Sequence, residues 1–316
     1  MQKAENTGQI IKNKARELGF CDCAILPVDV LTDEKSAYFN WLESGMQGEM
    51  SYMERNIDKR FDPALLFENA KTIIVALYNY FPGSRQDDEK APIISKYAYG
   101  IDYHYVLKEK LGQLLTFIQT EIIECVGRPF ADSAPVLERA WAKKAGLGWI
   151  GKNSNLINLK QGSFIFICEL LLDVELPYDE PKEVTDHCGN CTRCIDACPT
   201  KAIVADRVVD ARKCISYQTI EKRGELDKEL LGKFENRVFG CDICQDVCPW
   251  NLKAKPTQEP GFNPGKELMS LTRQQWMNMD KDQFNRLFKK SAVKRAGYKG
   301  LKRNIEFIST WRVPSD

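Results

Sequence analysis

Hydrophobic positions along this chain switch several times between a helical and a strand period before residue 176. In TGQIIKNKARELGF (7–20), Ile11, Ala15 and Leu18 share one face, Thr7 stands where a cap is expected and Gly19 where a helix ends, which predicts an amphipathic helix. CDCAILPV (21–28) reads as a strand, and a helix follows around 33–44. Asp62 and Pro63 carry the cap and first-turn chemistry that opens another helix. KTIIVALYNYF (71–81), rich in β-branched and aromatic residues, predicts a buried strand. Leu107, Leu111, Leu114, Leu115 and Ile118 recur at helical spacing in a long helix from about Tyr103 to Val126. RPFADS reads as a strand end, LERAWAKKAG as a helix and SFIFICELLLDVEL (163–176) as a second strong strand. This alternation predicts an α/β or α+β sandwich.

The pattern then changes. LPYDEPKEVTD (176–186) is a Pro- and acid-containing linker into CGNCTRCIDACPT (188–200), and GCDICQDVCPW follows at 240–250. Eight of the twelve cysteines fall between Cys188 and Cys248 at short x2 and x3 spacings, which favours metal or cluster ligation over disulfides. In C-x2-C-x2-C-x3-C-P, three thiolates wrap three corners of a cubane and the fourth points to a second cluster. Cys188, Cys191 and Cys194 would then hold one cluster together with Cys248, which returns from the second run. Cys198, Cys214, Cys241 and Cys244 would hold the other. A pair of zinc sites also uses CxxC pairs, but two x3-C-P endings in one segment favour clusters. Cys21, Cys23, Cys125 and Cys168 lie in strand or helix patterns and read as buried thiols without chemistry.

Composition narrows the picture. A length of 316 residues suggests about two domains at ~150 residues each, and 43% hydrophobic residues suffice for a sizeable core. Lys and Arg number 45 against 44 Asp and Glu, so any attraction to a polyanion must be local. One such place exists: beyond Pro249 a Pro- and Gly-rich loop leads to basic helices, with nine Lys or Arg and only Asp282 as an acid between Lys281 and Arg303. The apolar stretches at 72–81 and 164–172 are well short of the ~20 residues that span a bilayer, and the N-terminus has no apolar signal region. These features predict a soluble chain in a reducing compartment, the cytoplasm.

AGLGWIGKN contains a formal G-x-G-x-x-G at Gly146, Gly148 and Gly151, but it follows a helix and runs into a loop and strand. A dinucleotide fingerprint needs the opposite context; a tight loop placing backbone amides near a large ligand is still compatible with it. His104, in DYH, reads as a solvated or capping residue, and His187 as a neighbour of the first cluster. No Ser-His-Asp set or HExxH motif is present, so a general acid must come from a carboxylate, Tyr, Lys or Cys.

DYHYVLKEKL, DSAPVLERAWAKKAGLGWIGKNSNLI, CGNCTRCIDACPTKAI, RKCISYQTIEKRG and NRVFGCDICQDVCPWN occur in this order. Together they closely resemble the epoxyqueuosine reductase family, cobalamin-dependent enzymes that complete queuosine at the wobble position of certain tRNAs. The resemblance runs from about residue 10 to residue 310. It implies a nitroreductase-like cobalamin-binding sandwich over residues 1–180 and a ferredoxin-like domain with two [4Fe-4S] clusters over 181–255. A short basic helical segment, a truncated HEAT-like unit, would occupy 256–316. It further implies tRNA as partner, an external flavodoxin- or ferredoxin-type electron donor or a chemical reductant, and a monomer.

Carried over residue by residue, Asp132 in ADSAP matches the family's proposed acid. Arg60 in DKRFDP matches a cobalamin-contacting arginine, and Lys152, Asn153, Ser154 and Ser216 offer further polar contacts, with Asp132, to the cofactor. Lys289, Lys290, Lys294 and Arg295 are the candidate tRNA contacts, on a helix that Phe284, Leu287 and Phe288 would pack inward. Leu107 stands where a D-x-H-x-x-G motif needs glycine, so the resemblance implies cobalamin without a protein axial ligand. Ser95 replaces a cysteine frequent in the family. A reductive dehalogenase-type enzyme acting on a small organic substrate is the alternative reading.

Overall fold

The computed structural model describes residues 2–180 and 183–310. Pro181 and Lys182 of the expected linker, and residues 311–316 of the expected C-terminal segment, lie outside the described residues.

Two apolar runs form the centre because both of their faces are covered, a situation in which strands lose the usual polar alternation. Strands β1 (Asp22–Pro27), β2 (Thr72–Asn79), β3 (Gly127–Phe130) and β4 (Ile165–Leu172) make one antiparallel sheet in the order β1-β2-β4-β3. β2 and β4 pair along their whole lengths, from Thr72 opposite Leu172 to Asn79 opposite Ile165. On one face Ile74, Ala76, Cys168, Leu170 and Leu172 pack with Ile11 and Ala15 of α1 (Gln2–Glu17). α2 (Lys35–Glu43) follows β1 in the chain, and α3 (Tyr103–Phe117) adds Leu107, Leu111 and Leu114 to that first face. On the other face Ile73, Val75, Leu77 and Leu171 pack on Trp141 and Ala142 of α4 (Glu138–Lys144). The sandwich expected from the alternation of periods is present.

Three local expectations change. α1 begins at Gln2, so Thr7 lies inside the helix and not at its cap; Gly19, at φ 98°, ends it as expected. Asp62 does cap, accepting from Ala64 N at 3.0 Å, but what it opens is a single 3-10 turn, Pro63–Leu65. The longer helix of that region, Ile57–Phe61, precedes it. The long helix stays α-helical only to Phe117 and widens into a π turn over Ile118–Ile122, where β-branched residues crowd the backbone.

Cys23, Cys125 and Cys168 are buried and Cys21 is half-buried. Burial, then the charge of Asp22, pushes the Cys21 thiol up to about 12, and burial does the same to Cys23. Both stay protonated and unreactive at neutral pH, as their strand positions suggested.

The cysteine-rich region carries two short helices, Arg193–Asp196 and Ile243–Asp246, each between two cysteines of its run. After it come the helices Lys281–Leu287 and Gly297–Thr310, joined through a 3-10 turn at Ala292–Arg295. Phe284 and Phe288 are buried and Leu287 is partly so, but the helix ends at Leu287: Lys289 and Lys290 follow it in a turn and Lys294 and Arg295 stand on the separate 3-10 turn, so the four expected tRNA contacts do not share one helix. Leu301, Ile305 and Ile308 join the same apolar cluster as Ile11 and Leu111, so the C-terminal helix shares the core of the sandwich. Among the described residues no helix is long and apolar enough to cross a membrane.

Asn304 fixes that last helix. It is fully buried, and its Nδ2 donates to the carbonyls of Thr219 and Val238, at 2.8 Å each. Asn304→Ala should cost about 1–3 kcal/mol, because both carbonyls lose their donor inside the core. Thermal or denaturant unfolding measures this; an unchanged midpoint would show that the helix is held by packing alone.

Candidate functional site

The second cysteine run is pinned to the sandwich by a buried set of polar groups. Gln245 Nε2 donates to Ser163 O at 2.9 Å and to Ser163 Oγ at 3.1 Å, and reaches Tyr80 Oη at 3.3 Å. Asn251 Nδ2 donates to the same Oγ at 2.9 Å, while Asn251 Oδ1 accepts from Ser163 N at 2.7 Å. Gln245 follows Cys244 and Asn251 lies three residues after Cys248, so one serine just before β4 positions a ligand of each expected cluster.

The eight thiols separate into two groups by mutual influence. Cys194 is raised by burial first and then by Cys188, Cys248 and Cys191; Cys248 responds to Cys188 and Cys191. Cys214 responds to Cys198, Cys241 to Cys214, and Cys244 to both Cys241 and Cys214. Cys244 also responds to Cys194, which brings the two groups near one another.

Burial pushes Cys241 up to about 12 and raises Cys214, Cys244 and Cys248 as well. Such thiols ionise only beside a strong local positive charge, which an iron–sulfur cluster supplies on ligation. Backbone amides of Ser216 and Tyr217 already point at Cys214, those of Trp250 and Asn251 at Cys248, and Ala202 N donates to Cys198 Sγ at 3.2 Å. The donor set therefore fits two clusters. Among the described residues no three His, Cys, Asp or Glu side chains converge on a single-ion position; a cubane, with thiolates at separate irons, does not require them to.

The first group is walled by aromatics. Trp149 Nε1 lies 3.5 Å from Cys188 Sγ, and its ring packs at 5.0 Å on His187 and 4.9 Å on Trp250. The second group faces a large cavity of about 2770 Å³ between the sandwich and the cysteine region. Cys198, Cys214, Cys241 and Cys244 line it, whereas none of the first group does. The volume far exceeds the ~300–1,000 Å³ of ordinary small-molecule sites. Arg60 lines this cavity with its Nη2 donating to Tyr52 O at 2.6 Å and its Nε buried without a partner. A macrocycle as large as a corrin with polar side chains fits both the volume and that donor.

Asp132 stands in the wall on the loop between β3 and α4, at φ 49°, a left-handed conformation that Asp tolerates better than most residues. Tyr103 Oη donates to Asp132 Oδ2, and Asp132 N donates to Glu138 Oε1 at 2.6 Å. Burial, then the Asp132 charge, raises the Tyr103 phenol far above its ordinary range, so it remains a donor. Burial and Asp132 together push Glu138 up to about 8. Behind them Glu169 of β4 is fully buried, opposite Val75 and Phe130, and neither carboxylate oxygen has a hydrogen-bond partner. Desolvation, then Glu138 and Asp132, holds it well above the carboxylate range and therefore neutral.

Other expected residues divide between this cavity and the exterior. Asn153, Ser154 and Ser216 line it; Asn153 Nδ2 reaches Cys244 O at 3.3 Å, and Ser154 Oγ donates to Arg207 O at 2.7 Å. Lys152 is outside the lining, with its Nζ 3.3 Å from Asp206. The glycine loop has an internal reason: a Cβ on Gly148 would stand 2.3 Å from Ile157 O in the hairpin Trp149–Ile150 with Leu156–Ile157. Lys294 and Arg295 line the cavity rim, Arg295 paired with Glu221 at 2.9 Å and placed over Tyr52. Lys289 and Lys290 are exposed outside it. Ser95 is buried in the wall.

A family model described as epoxyqueuosine reductase QueG matches residues 60–133, and one described as a 4Fe-4S double cluster binding domain matches residues 187–251. The epoxyqueuosine reductase of Cellulophaga algicola is 54% identical over 308 residues, covering 98% of this chain and 100% of the relative. The chain belongs to the epoxyqueuosine reductase family. The Escherichia coli epoxyqueuosine reductase is 40% identical over 302 residues, 94% of this chain and 79% of that one. An epoxyqueuosine reductase solved with an epoxyqueuosine-modified tRNA-Tyr stem loop superposes with a TM-score of 0.88 at 28% identity, over 96% of this chain and 81% of that one. One from Bacillus subtilis, with its catalytic aspartate loop swung out of the active site, gives 0.86 at 27% identity, with 96% and 81% covered. Family membership decides against the dehalogenase alternative. As an epoxyqueuosine reductase the chain is an oxidoreductase that uses cobalamin and two [4Fe-4S] clusters.

Sequence reasoning did not single out Tyr103, Glu138 or Glu169. Glu169 had a visible signal, one carboxylate at a core-facing position in the otherwise apolar FICELLL. It also makes a pH prediction. A carboxyl whose folded-state pKa is raised contributes stability fully below its unfolded value, about 4.3, and loses it as pH rises toward the folded value. Glu169→Gln, neutral throughout, should therefore gain in melting temperature relative to the wild type between pH 5 and pH 8. A difference independent of pH would show that Glu169 does not titrate from a buried neutral state.

Proposed function

We propose that this chain reduces epoxyqueuosine to queuosine at the wobble position of tRNA, with Asp132 as the general acid and the second thiol group delivering electrons to the cavity. The carrying observation is that Asp132 and four cluster thiols line one cavity from opposite elements. Removing an epoxide oxygen as water consumes two electrons and two protons. Cobalamin, when bound, supplies a strong nucleophile that two single electrons can regenerate. Arg60, Asn153, Ser154 and Ser216 would hold it, and Asp132 borders the same space.

The residues divide the remaining work. Tyr103 orients Asp132 through the phenol proton, so that the opposite carboxyl oxygen is free to face the substrate. The cavity wall excludes water on one side, which strengthens these contacts. Lys289, Lys290, Lys294 and Arg295 would position the tRNA backbone, since phosphate contacts set register while the modified base enters the site. The sandwich (1–180), the two-cluster domain (181–255) and the basic segment (256–316) are the working units, acting as a cytoplasmic monomer fed by a flavodoxin- or ferredoxin-type donor.

Asp132→Asn keeps a residue that tolerates the left-handed backbone and so isolates the chemistry. Turnover on epoxyqueuosine-containing tRNA should fall ~10²–10⁴-fold while corrinoid and iron contents hold. Near-normal turnover would reduce Asp132 to a loop-shaping role. A second test concerns the RNA. Changing Lys289, Lys290, Lys294 and Arg295 together to Gln should flatten the salt dependence of tRNA affinity, by a slope of roughly 0.7–0.9 for every phosphate that is no longer neutralised. An unchanged slope would place the RNA on another surface.

A further inference from the structure

We propose that Glu138 recharges Asp132 with the second proton of each turnover, making it a proton-relay residue and not only a latch on the Asp132 loop. The proposal rests on the reading of Asp132 as the acid. The stoichiometry raises the need: the epoxide takes two electrons and two protons, both carbon–oxygen bonds break, a carbon–carbon double bond replaces them, and water leaves. As the acid, Asp132 delivers one of the two protons. After the first delivery it is a carboxylate, and the second proton must reach the same oxygen.

Glu138 is placed for that task. It lines the same cavity, and its Oε1 accepts from Asp132 N at 2.6 Å, which sets the first residue of α4 against the loop that carries Asp132. The groups facing it are Asp132, Arg139 beside it on α4, Tyr103 from α3 and the buried Glu169 from β4. Glu169 is fully buried, unpartnered and neutral, so the wall behind Glu138 offers little solvation to a charge. That burial and the charge that Asp132 bears after the first delivery hold the Glu138 proton to about pH 8, so at neutral pH it is available for transfer. In the transfer the Glu138 O–H bond breaks, a new O–H bond forms on the Asp132 carboxylate, and the negative charge moves to Glu138. There the Asp132 amide and Arg139 favour it, as their lowering influence on Glu138 indicates. Solvent at the cavity mouth then reprotonates Glu138.

Glu138→Gln separates the two roles, because Gln keeps an oxygen to accept from Asp132 N but has no transferable proton. In the loaded full-length enzyme we expect kcat to fall roughly tenfold to hundredfold, less than for loss of the acid itself at ~10²–10⁴-fold. KM for the tRNA should be unchanged, and imidazole buffer should restore rate in proportion to its concentration. The wild-type rate should fall above about pH 8, where Glu138 loses its proton, and the variant should lack that limb. Without any cofactor, infrared difference spectra between pH 7 and pH 9 should show a carboxylic acid carbonyl band lost in the wild type and absent from the Glu138→Gln difference. Wild-type kcat with the limb intact, or a band that persists in the variant, would overturn the proposal. If Asp132→Asn itself turns over normally, the underlying reading fails instead; if only Glu138→Gln does, the relay alone is wrong.

Discussion

The contact between Ser163 and the amides of Gln245 and Asn251 sets the geometry on which everything else depends. Ser163 stands just before β4, where the sheet ends, and both amides come from the second cysteine run. All three are buried, so each unmade bond would leave a polar atom desolvated, a cost of about 1–3 kcal/mol apiece. The run can therefore sit in only one register against the sheet. That register fixes Cys244 and Cys248, one from each thiol group, relative to the strand that carries Glu169.

Two consequences follow from this docking. Only one thiol group opens onto the cavity, while the other lies behind Trp149, His187 and Trp250. Electrons entering at the outer group thus have an inner group between them and the substrate space. The second consequence concerns charge. The sheet presents Glu169 beneath α4, and the loop before α4 turns Asp132 into the cavity through a left-handed residue held by Tyr103 and Glu138. Glu169, buried without a hydrogen-bond partner, and Glu138, raised by burial and by the Asp132 charge, keep protons at neutral pH in the wall behind the exposed Asp132. Its chemistry is the consequence of packing as much as of residue type.

Much of this was legible in the chain. The central strands were readable because burial on both faces leaves TIIVALYN and IFICELLL almost wholly apolar. The expected thiol partition was drawn from x2, x3 and C-P spacing, which encodes the corner each cysteine would reach. Asp132 was marked by resemblance, since its local signal is that of an ordinary loop acid ahead of a helix. Glu138 looked like any acid in a first helical turn, and only the folded loop turns it back onto the Asp132 amide. Gln245 and Asn251 belong to no periodic pattern; their partner Ser163 is more than 80 residues away. Lys152 was drawn toward the ligand by its neighbours in GKNS, whereas the hairpin turns it out to Asp206.

The most direct measurement is the electron-spin relaxation of the corrinoid cobalt in the fully loaded chain, with the clusters oxidised and then reduced. The account predicts that cluster reduction speeds this relaxation in the wild type and in Cys191→Ala, and fails to do so in Cys214→Ala. Relaxation that still speeds up in Cys214→Ala but not in Cys191→Ala would contradict it, because the outer thiol group would then be the one facing the cofactor.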